Sequence, residues 1–329
     1  MKKNLNLKGK SILTMTQLRP EEITYLINLA ERLKNKKKQG LYGNLLKRKN
    51  IVLIFEKPST RTRCAFTVSA ADEGAHTDYL SLNDIHFIKK ESLADSARVL
   101  GRMFDGIAFR GYEHDTAEQL AHFSNIPVWN ALTDKAHPTQ TFADLMTIKE
   151  HFGRLKGLTV VYMGDGRNNV ANSLMTGCVK MGMHFVNCTP PELMPPPDLI
   201  KTVEGFSAEK GGSVRIVHEP RDAVRGAHVI YTDVWVSMGE EAQFDERRKL
   251  LQRYQVTMEL MRLTGNTETD QVIFLHCLPA FHNNLTEVTR EIGAMEVTDE
   301  VFESSFSHVF DQAENRLHTI KAVMVATLT

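Results

Sequence analysis

The sequence predicts an α/β fold of two doubly wound domains, each with a parallel sheet flanked by helices. Short apolar runs alternate with amphipathic stretches along the chain, which is the pattern of strands joined by crossover helices. The length of 329 residues is typical of two ordinary domains. Polar residues follow the apolar runs directly, and ligands of open α/β sheets bind beyond the carboxyl ends of the strands.

The alternation falls into two series. One series extends from residue 1 to about 150, and a second runs from 151 to 310, with Leu158–Met163 as its first apolar strand. Residues 311–329 form a last amphipathic helix, with apolar side chains at Ile320 and Val323 on one side, which we expect to pack back on the first domain. The active site is expected in the cleft between the two domains.

The composition excludes several classes of protein. Lysine plus arginine and aspartate plus glutamate balance at 40 each, whereas nucleic-acid and membrane-surface proteins normally carry excess positive charge. The four cysteines form no Cys-x-x-Cys pair, so neither a zinc site nor a disulfide framework is expected. The first residues show no apolar signal segment, and no apolar run approaches the roughly 20 residues of a membrane span. We therefore expect a cytoplasmic protein without a membrane or nucleic-acid partner.

The most informative stretch covers residues 51–63. The apolar run Ile51–Phe55 predicts a buried strand, Pro58 interrupts it, and the residues Ser59–Arg63 open a helix. The first turn of a helix offers free N–H groups and the positive end of a dipole, and arginine matches the geometry of phosphate oxygens. A phosphate site and an ordinary capped helix with solvated arginines are equally favoured by the spacing.

Polar residues also follow the other predicted strands. These groups are Arg110 and His137-Pro-Thr-Gln140 in the first series, and Asp165–Asn169, Asp233–Gly239 and His276-Cys-Leu-Pro279 in the second. Because the carboxyl ends of parallel strands meet at one edge of a sheet, this repetition indicates a shared binding cleft.

Several of these groups have an alternative interpretation. Gly164-x-Gly166 is only a weak sign of dinucleotide binding, since Asn169 stands where the third glycine belongs. The paired asparagines before the next helix suit a zwitterionic ligand or simply cap that helix.

Three further side chains also have two interpretations each. His137 is either an acid–base group or an ordinary surface histidine, and Cys277 is either a nucleophile or a buried thiol. Asp233 either holds an amine or caps a helix. The segment Ser237–Gly239 is a mobile loop over the ligand or a simple connection.

Taken in order, these motifs resemble the aspartate/ornithine carbamoyltransferase family. The segments Ser59-Thr-Arg-Thr-Arg63 and His137-Pro-Thr-Gln140 are similar to its carbamoyl-phosphate signatures. The segments Asp233–Gly239 and His276–Pro279 resemble the ornithine branch, and Ala-Glu-Asn-Arg316 agrees with it. The resemblance extends over nearly the whole chain. It implies transfer of the carbamoyl group of carbamoyl phosphate to L-ornithine, giving L-citrulline and phosphate, without a covalent intermediate, cofactor or metal.

The resemblance also implies a role for each motif residue. The phosphate is bound by Ser59, Thr60, Arg61 and Thr62, and the carbamoyl group by Arg110, His137 and Gln140. The ornithine backbone is held by Asn169, Asp233, Ser237 and Met238. The site where the two ligands meet is completed by Cys277, Leu278 and Arg316, which also contact carbamoyl phosphate. The residues expected in catalysis are Arg110, His137 and Cys277.

The resemblance further implies a homotrimer or a multiple of trimers. In the family the residue at His86 comes from a neighbouring subunit and touches the phosphate. Ile88 departs from the pattern, because relatives often carry glycine there.

Three rival functions remain open at the level of the sequence. A sibling enzyme would use putrescine, aspartate or acetylated ornithine, but the segment Asp233–Gly239 favours an acceptor with a free α-amino and α-carboxylate group. A regulatory protein on the same fold would be expected to have lost some of these side chains. A nicotinamide dehydrogenase is disfavoured by the missing third glycine.

Overall fold

The computed structural model describes residues 5–84, 91–236 and 240–329. The chain folds into two compact units, one of Met1–Met146 with Glu314–Thr329 and one of Thr147–Ala313. Each unit has one parallel sheet with helices around it. The predicted α/β class with two doubly wound sheets is thereby confirmed.

The first unit contains a four-stranded sheet in the order β2-β1-β3-β4, and all its strand pairs are parallel. The strands are β1 (Asn50–Phe55), β2 (His76–Ser81), β3 (Gly106–Arg110) and β4 (Val128–Leu132). The helices are α1 (Pro20–Lys38), α2 (Thr60–Asp72), α3 (Leu93–Met103) and α4 (His114–Ser124). Helices α5 (Pro138–Phe152) and α12 (Val309–Leu328) each begin in one unit and end in the other.

Strand β1 lies inside its sheet because every residue from Ile51 to Phe55 is apolar and buried. A strand buried on both faces needs a continuous apolar run rather than an alternating one. Helix α1 is amphipathic instead, with Pro20 at its start, glutamates in its first turn and lysines in its last. Those charges complement the helix dipole.

The second unit contains a five-stranded sheet in the order β7-β6-β5-β8-β9, again fully parallel. Its strands are β5 (Thr159–Met163), β6 (His184–Cys188), β7 (Ser213–Val217), β8 (Val229–Thr232) and β9 (Ile273–His276). Its helices are α6 (Asn169–Lys180), α7 (Pro197–Lys210), α8 (Pro220–Ala223), α9 (Phe244–Leu251), α10 (Met258–Leu263) and α11 (Asp299–Phe302).

Each sheet has one point where the direction of winding reverses. The chain leaves β1 toward β2 on one side, yet β3 pairs with β1 on its other side. Likewise β5 lies between β6 and β8. At such a switch point the connections leave two adjacent strands in opposite directions and open a crevice at their carboxyl ends. The fold therefore predicts ligand binding at the carboxyl ends of β1 and β3, and at those of β5 and β8.

Over the described ranges, the helices are all too short or too polar to cross a lipid bilayer. The four cysteines are free thiols.

Candidate active site

The segment after β1 forms the beginning of α2. The Ser59 hydroxyl accepts a hydrogen bond from the Thr62 backbone N–H at 3.4 Å, so Ser59 caps the helix. The first turn carries no acidic residue, and Thr60 and Arg61 are exposed beside it. The cap satisfies one of the free N–H groups of the helix and leaves the positive dipole end without a nearby carboxylate in that turn. The capped helix and the anion site proposed from the spacing are thus compatible.

Arg316 on α12 gathers three of the predicted carbamoyl-phosphate residues. Its Nη1 donates to Gln140 Oε1 at 2.6 Å, and its Nη2 donates to Thr62 Oγ1 at 3.0 Å. Its Nη1 also lies 3.5 Å from His137 Nε2. All four side chains are buried. The fork of donors on one guanidinium therefore fixes the positions of Thr62, His137 and Gln140 relative to one another.

His137 is buried, so the interpretation as an ordinary surface histidine is wrong. Burial, followed by the positive charges of Arg316 and Arg110, lowers the pKa of His137 well below its ordinary value. The imidazole is consequently neutral at physiological pH and acts as an uncharged hydrogen-bonding group. Its Nδ1 lies 3.3 Å from Thr139 Oγ1.

Gln140 is held from both ends of its amide. Its oxygen accepts from Arg316, and its Nε2 donates to Asp144 Oδ1 at 2.8 Å. Asp144 is fully buried. Sequence reasoning missed Asp144, although its position one helical turn after Gln140 on α5 is a usable signal.

Glu56 is a second residue that sequence reasoning missed. Its backbone N–H donates to the Arg110 carbonyl at 2.8 Å, and its carboxylate accepts from the Tyr112 N–H at 2.8 Å. Glu56 therefore ties the end of β3, where Arg110 lies, to the segment that leads into Ser59. Burial raises the pKa of this carboxyl group. The signal available in the sequence was a carboxylate directly after a strand.

In the second unit, Asp233 and Cys277 lie together at the ends of β8 and β9. The Cys277 thiol donates to Asp233 Oδ1 at 3.0 Å, and the Val234 N–H donates to the same oxygen at 2.8 Å. Asp233 is 6% exposed, and this burial raises its pKa. Asp233 does not cap a helix, so that alternative is wrong. A buried carboxylate beside a half-buried thiol offers an acceptor to a ligand amine.

His276 and Glu296 brace the turn that carries Cys277 and Leu278. His276 Nε2 lies 3.2 Å from Glu296 Oε1, and His276 Nδ1 accepts from the Leu278 N–H at 2.9 Å. Both side chains are fully buried, and Leu278 has a positive φ of 58°. Glu296 is far from the motif in the sequence, so spacing could not reveal this support.

Asn168 and Asn169 have different roles at the end of β5. Asn168 caps α6 by accepting from the Val170 N–H at 2.7 Å, as the capping interpretation predicted. Asn169 is the first residue of α6 and is half-buried. A Cβ on Gly166 would lie 2.7 Å from the Leu193 carbonyl oxygen. Close packing of the chain therefore explains Gly166 without a bound dinucleotide.

In the part of the chain that the structure describes, two groups of three side chains bring metal-ligand atoms within 4.8 Å of one another. They are Asp233, His276 and Cys277, and His282, Asp299 and Glu303. In the first group both ring nitrogens of His276 already have protein partners. In the second group His282 Nδ1 lies 2.6 Å from Asp299 Oδ1, so a direct pair satisfies these groups.

Four predicted positions lie outside the described residues. They are His86 and Ile88 in one gap, and Ser237 and Met238 in the other.

Comparison with known proteins gives matches over nearly the whole chain. A family model described as the carbamoyl-P binding domain of aspartate/ornithine carbamoyltransferase matches residues 10–150. The model for the Asp/Orn binding domain of the same family matches residues 156–327.

Individual relatives are also similar over their full lengths. A protein of Bacillus licheniformis named "Ornithine carbamoyltransferase, catabolic" is 57% identical over 334 residues, covering 100% of this chain and 99% of the relative. The ornithine carbamoyltransferase of Streptococcus equi subsp. equi is 54% identical, with 98% and 96% covered. The solved ornithine carbamoyltransferase of Pyrococcus furiosus is 43% identical with a TM-score of 0.91, and 98% of both chains is covered. The structure from Thermus thermophilus is 38% identical with a TM-score of 0.83, covering 97% and 99%.

Proposed function

The chain belongs to the aspartate/ornithine carbamoyltransferase family and transfers the carbamoyl group of carbamoyl phosphate to L-ornithine, and we propose that the side chains described above promote direct attack by the ornithine δ-amine on that group. Citrulline and phosphate are the products, and the reaction belongs to arginine metabolism. The observation that carries the proposal is that each winding reversal ends in the polar groups one substrate requires. Thr62 lies beyond β1 and Arg110 is the last residue of β3, while Asn169 and Asp233 follow β5 and β8.

The first unit binds carbamoyl phosphate in this proposal. The phosphate dianion lies at the beginning of α2, where Ser59, Thr60 and Arg61 add donors to the helix N–H groups. Neutralising the phosphate makes it a better leaving group. Leu278 of the Cys277 turn completes the contacts to this substrate by family analogy.

The carbonyl oxygen of the substrate gains negative charge as the tetrahedral transition state forms. Thr62, Arg110 and His137 donate to that oxygen, and Gln140 binds the carbamoyl NH₂ group. Arg316 supports these contacts because it holds Thr62 and Gln140 in place. Donors placed in advance cost no reorganisation when the charge develops, and one such donor is worth roughly 10²–10³ in rate.

The second unit holds L-ornithine. Asn169 and Asp233, with Ser237 and Met238 by family analogy, bind its α-carboxylate and α-amino group. The δ-ammonium group first loses one proton to solvent, and the nitrogen lone pair attacks the carbonyl carbon. The bond from that carbon to the phosphate oxygen breaks, and the leaving phosphate takes up the second proton that the attacking nitrogen releases. Cys277 orients the acceptor through its hydrogen bond to Asp233. No enzyme-bound intermediate is needed, because placing the two substrates in contact lowers the barrier.

We also propose a homotrimer, the assembly that the family resemblance implies. In it His86 reaches the phosphate bound by a neighbouring subunit.

The test is ureido-product formation from carbamoyl phosphate, with L-ornithine, putrescine and L-aspartate compared side by side. We expect citrulline from L-ornithine and no product from the other two amines. Turnover with putrescine alone would contradict the assignment of Asn169 and Asp233 to an amino-acid backbone. Absence of turnover in a folded protein that binds carbamoyl phosphate would contradict the enzymatic function itself.

A further inference from the structure

Four charged side chains form a network beside the proposed acceptor residues. Arg167 donates to both carboxylate oxygens of Asp165, from Nε at 3.1 Å and from Nη2 at 2.8 Å. The same Nη2 lies 3.2 Å from Glu240 Oε1. The guanidinium of Arg167 therefore bridges two carboxylates that are distant in the sequence.

Arg247 on α9 closes the network. Its Nη2 lies 3.1 Å from Glu240 Oε1, and its Nη1 lies 3.7 Å from Asp165 Oδ2. Two guanidiniums thus alternate with two carboxylates, and their charges balance. Each charged group therefore has two partners of opposite charge.

The burial of the network makes the loss of one member more costly than in an ordinary surface pair. The side chains of Asp165 and Arg247 are 1% and 7% exposed, and those of Glu240 and Arg167 are 26% and 38% exposed. Exposed ion pairs are weak because water screens them. Removing one member of a largely buried group leaves the opposite charges uncompensated.

The network joins two segments that the proposed function uses. Asp165 and Arg167 lie in the turn that leads from β5 to Asn169. Glu240 lies in the segment that leaves β8 through Asp233. These two segments carry the proposed ligands of the ornithine α-carboxylate and α-amino group, so their separation decides whether both ligands reach one amino acid.

We propose that Asp165, Arg167, Glu240 and Arg247 are positioning residues that set the affinity of the second unit for the amino-acid end of the acceptor. They do so through the segments they join and without contact to the reacting atoms. The inference rests on the proposed function, since it presumes an amino-acid acceptor at Asn169 and Asp233. It gives a specific role to Asp165 and Arg167 of the strand-end group Asp165–Asn169, and to Glu240 and Arg247, which no motif in the sequence indicated.

The test is Glu240→Gln, which removes one charge and keeps the size of the side chain. We expect the KM for L-ornithine to rise about tenfold, with kcat at saturation and the KM for carbamoyl phosphate changed less than about twofold. The inhibition constant of L-norvaline, which has the amino-acid end without the δ-amine, should rise in parallel. Glu240→Asp keeps the charge and should restore most of the affinity.

The matched control is Glu259→Gln, because Glu259 pairs with Arg221 at 2.8 Å in the same unit with both side chains largely exposed. This control should leave both KM values unchanged. The effect of the double variant Glu240→Gln with Arg167→Gln should be smaller than the sum of the two single effects, since both changes remove the Arg167–Glu240 pair.

Two results would overturn the inference. One is an unchanged KM for L-ornithine in a folded Glu240→Gln protein. The other is a parallel loss of kcat and of affinity for both substrates, which would indicate a general structural role. A failure of the proposed function is distinct from both, because the unmodified chain would then form no citrulline.

Discussion

Arg316 donates to Thr62 and Gln140, which lie 254 and 176 positions away in the sequence. Asp233 accepts from the thiol of Cys277, which lies 44 positions away. In both cases one charged group orders uncharged donors or acceptors around it. At the scale of single residues, the candidate site therefore depends on two buried charges whose partners come from other elements of the same unit.

Cys277→Ala should weaken turnover without abolishing it. The change removes one hydrogen bond to the buried carboxylate of Asp233, while the bond from the Val234 N–H remains. A hydrogen bond to a charged group is worth about 1.5–3 kcal/mol, so kcat/KM for L-ornithine should fall roughly 10- to 150-fold.

Steady-state kinetics on matched variants would measure this effect. Cys277→Ser keeps a donor and should lose less activity, and Cys64→Ala changes an exposed thiol and should have no effect. Complete loss of activity in a folded Cys277→Ala protein would point to a direct part in the chemistry.

Helix α12 is held in the first unit by polar contacts as well as apolar ones. Lys321 is 2% exposed and donates to Asp72 Oδ2 at 2.6 Å, and Lys37 of α1 donates to the same oxygen at 2.6 Å. Trp129 of β4 donates to Thr327 Oγ1 at 3.0 Å. At the scale of elements, one carboxylate at the end of α2 thus links α1, α2 and α12, and α12 also delivers Arg316.

Asp72→Asn should destabilise this part of the first unit by about 3–5 kcal/mol, because it leaves the buried ammonium group of Lys321 without its counter-charge. Denaturant unfolding and hydrogen exchange at amides of α2 and α12 would measure the loss. Asp222→Asn, which alters an exposed pair, is the control and should shift stability by less than about 1 kcal/mol. Equal unfolding midpoints for the two variants would refute the prediction.

The pH dependence of this stability follows from the pKa of Asp72. Burial raises that pKa, but the hydrogen bonds from Lys321 and Lys37 outweigh it and hold the pKa below its ordinary value of 3.8. Because the pKa of Asp72 is lowered in the folded state, its contribution to the free energy of unfolding is complete above about pH 4. That contribution is lost as the pH falls through the folded-state pKa.

The whole molecule carries no net formal charge at pH 7, so long-range attraction of the anionic substrate is weak and binding depends on local groups. Each unit contributes one parallel sheet with one winding reversal. The two helices that pass between the units, α5 and α12, also carry Gln140 and Arg316. At this scale the proposed function places each of its two substrates at one of these winding reversals.

Activity should rise with pH between about 6 and 9. The δ-ammonium group of ornithine resembles lysine, with a pKa of about 10.4, so the reactive amine becomes more abundant as the pH increases. Because the pKa of His137 is lowered well below 6.5, that imidazole stays neutral over this range and adds no inflection near 6.5. The profile of kcat/KM for L-ornithine would test this, and a flat profile would exclude attack by the free amine as the limiting step.

The sequence by itself determined the alternation of strands and helices, the fold class and the motifs at the strand ends. These properties depend on local patterns: a continuous apolar run such as Ile51–Phe55 needs burial on both faces, and Ser59 and Asn168 cap the helices that follow them. The resemblance to the carbamoyltransferase family rests on the same local motifs.

Only the tertiary structure decided which of these motifs share a site and how they are charged. The order of strands, which creates the two winding reversals, depends on pairing between distant segments. The neutral state of His137 depends on burial and on Arg316, and the support of Cys277 depends on Glu296. Such contacts join residues far apart in the chain, and their energies arise only once folding has removed water from around them.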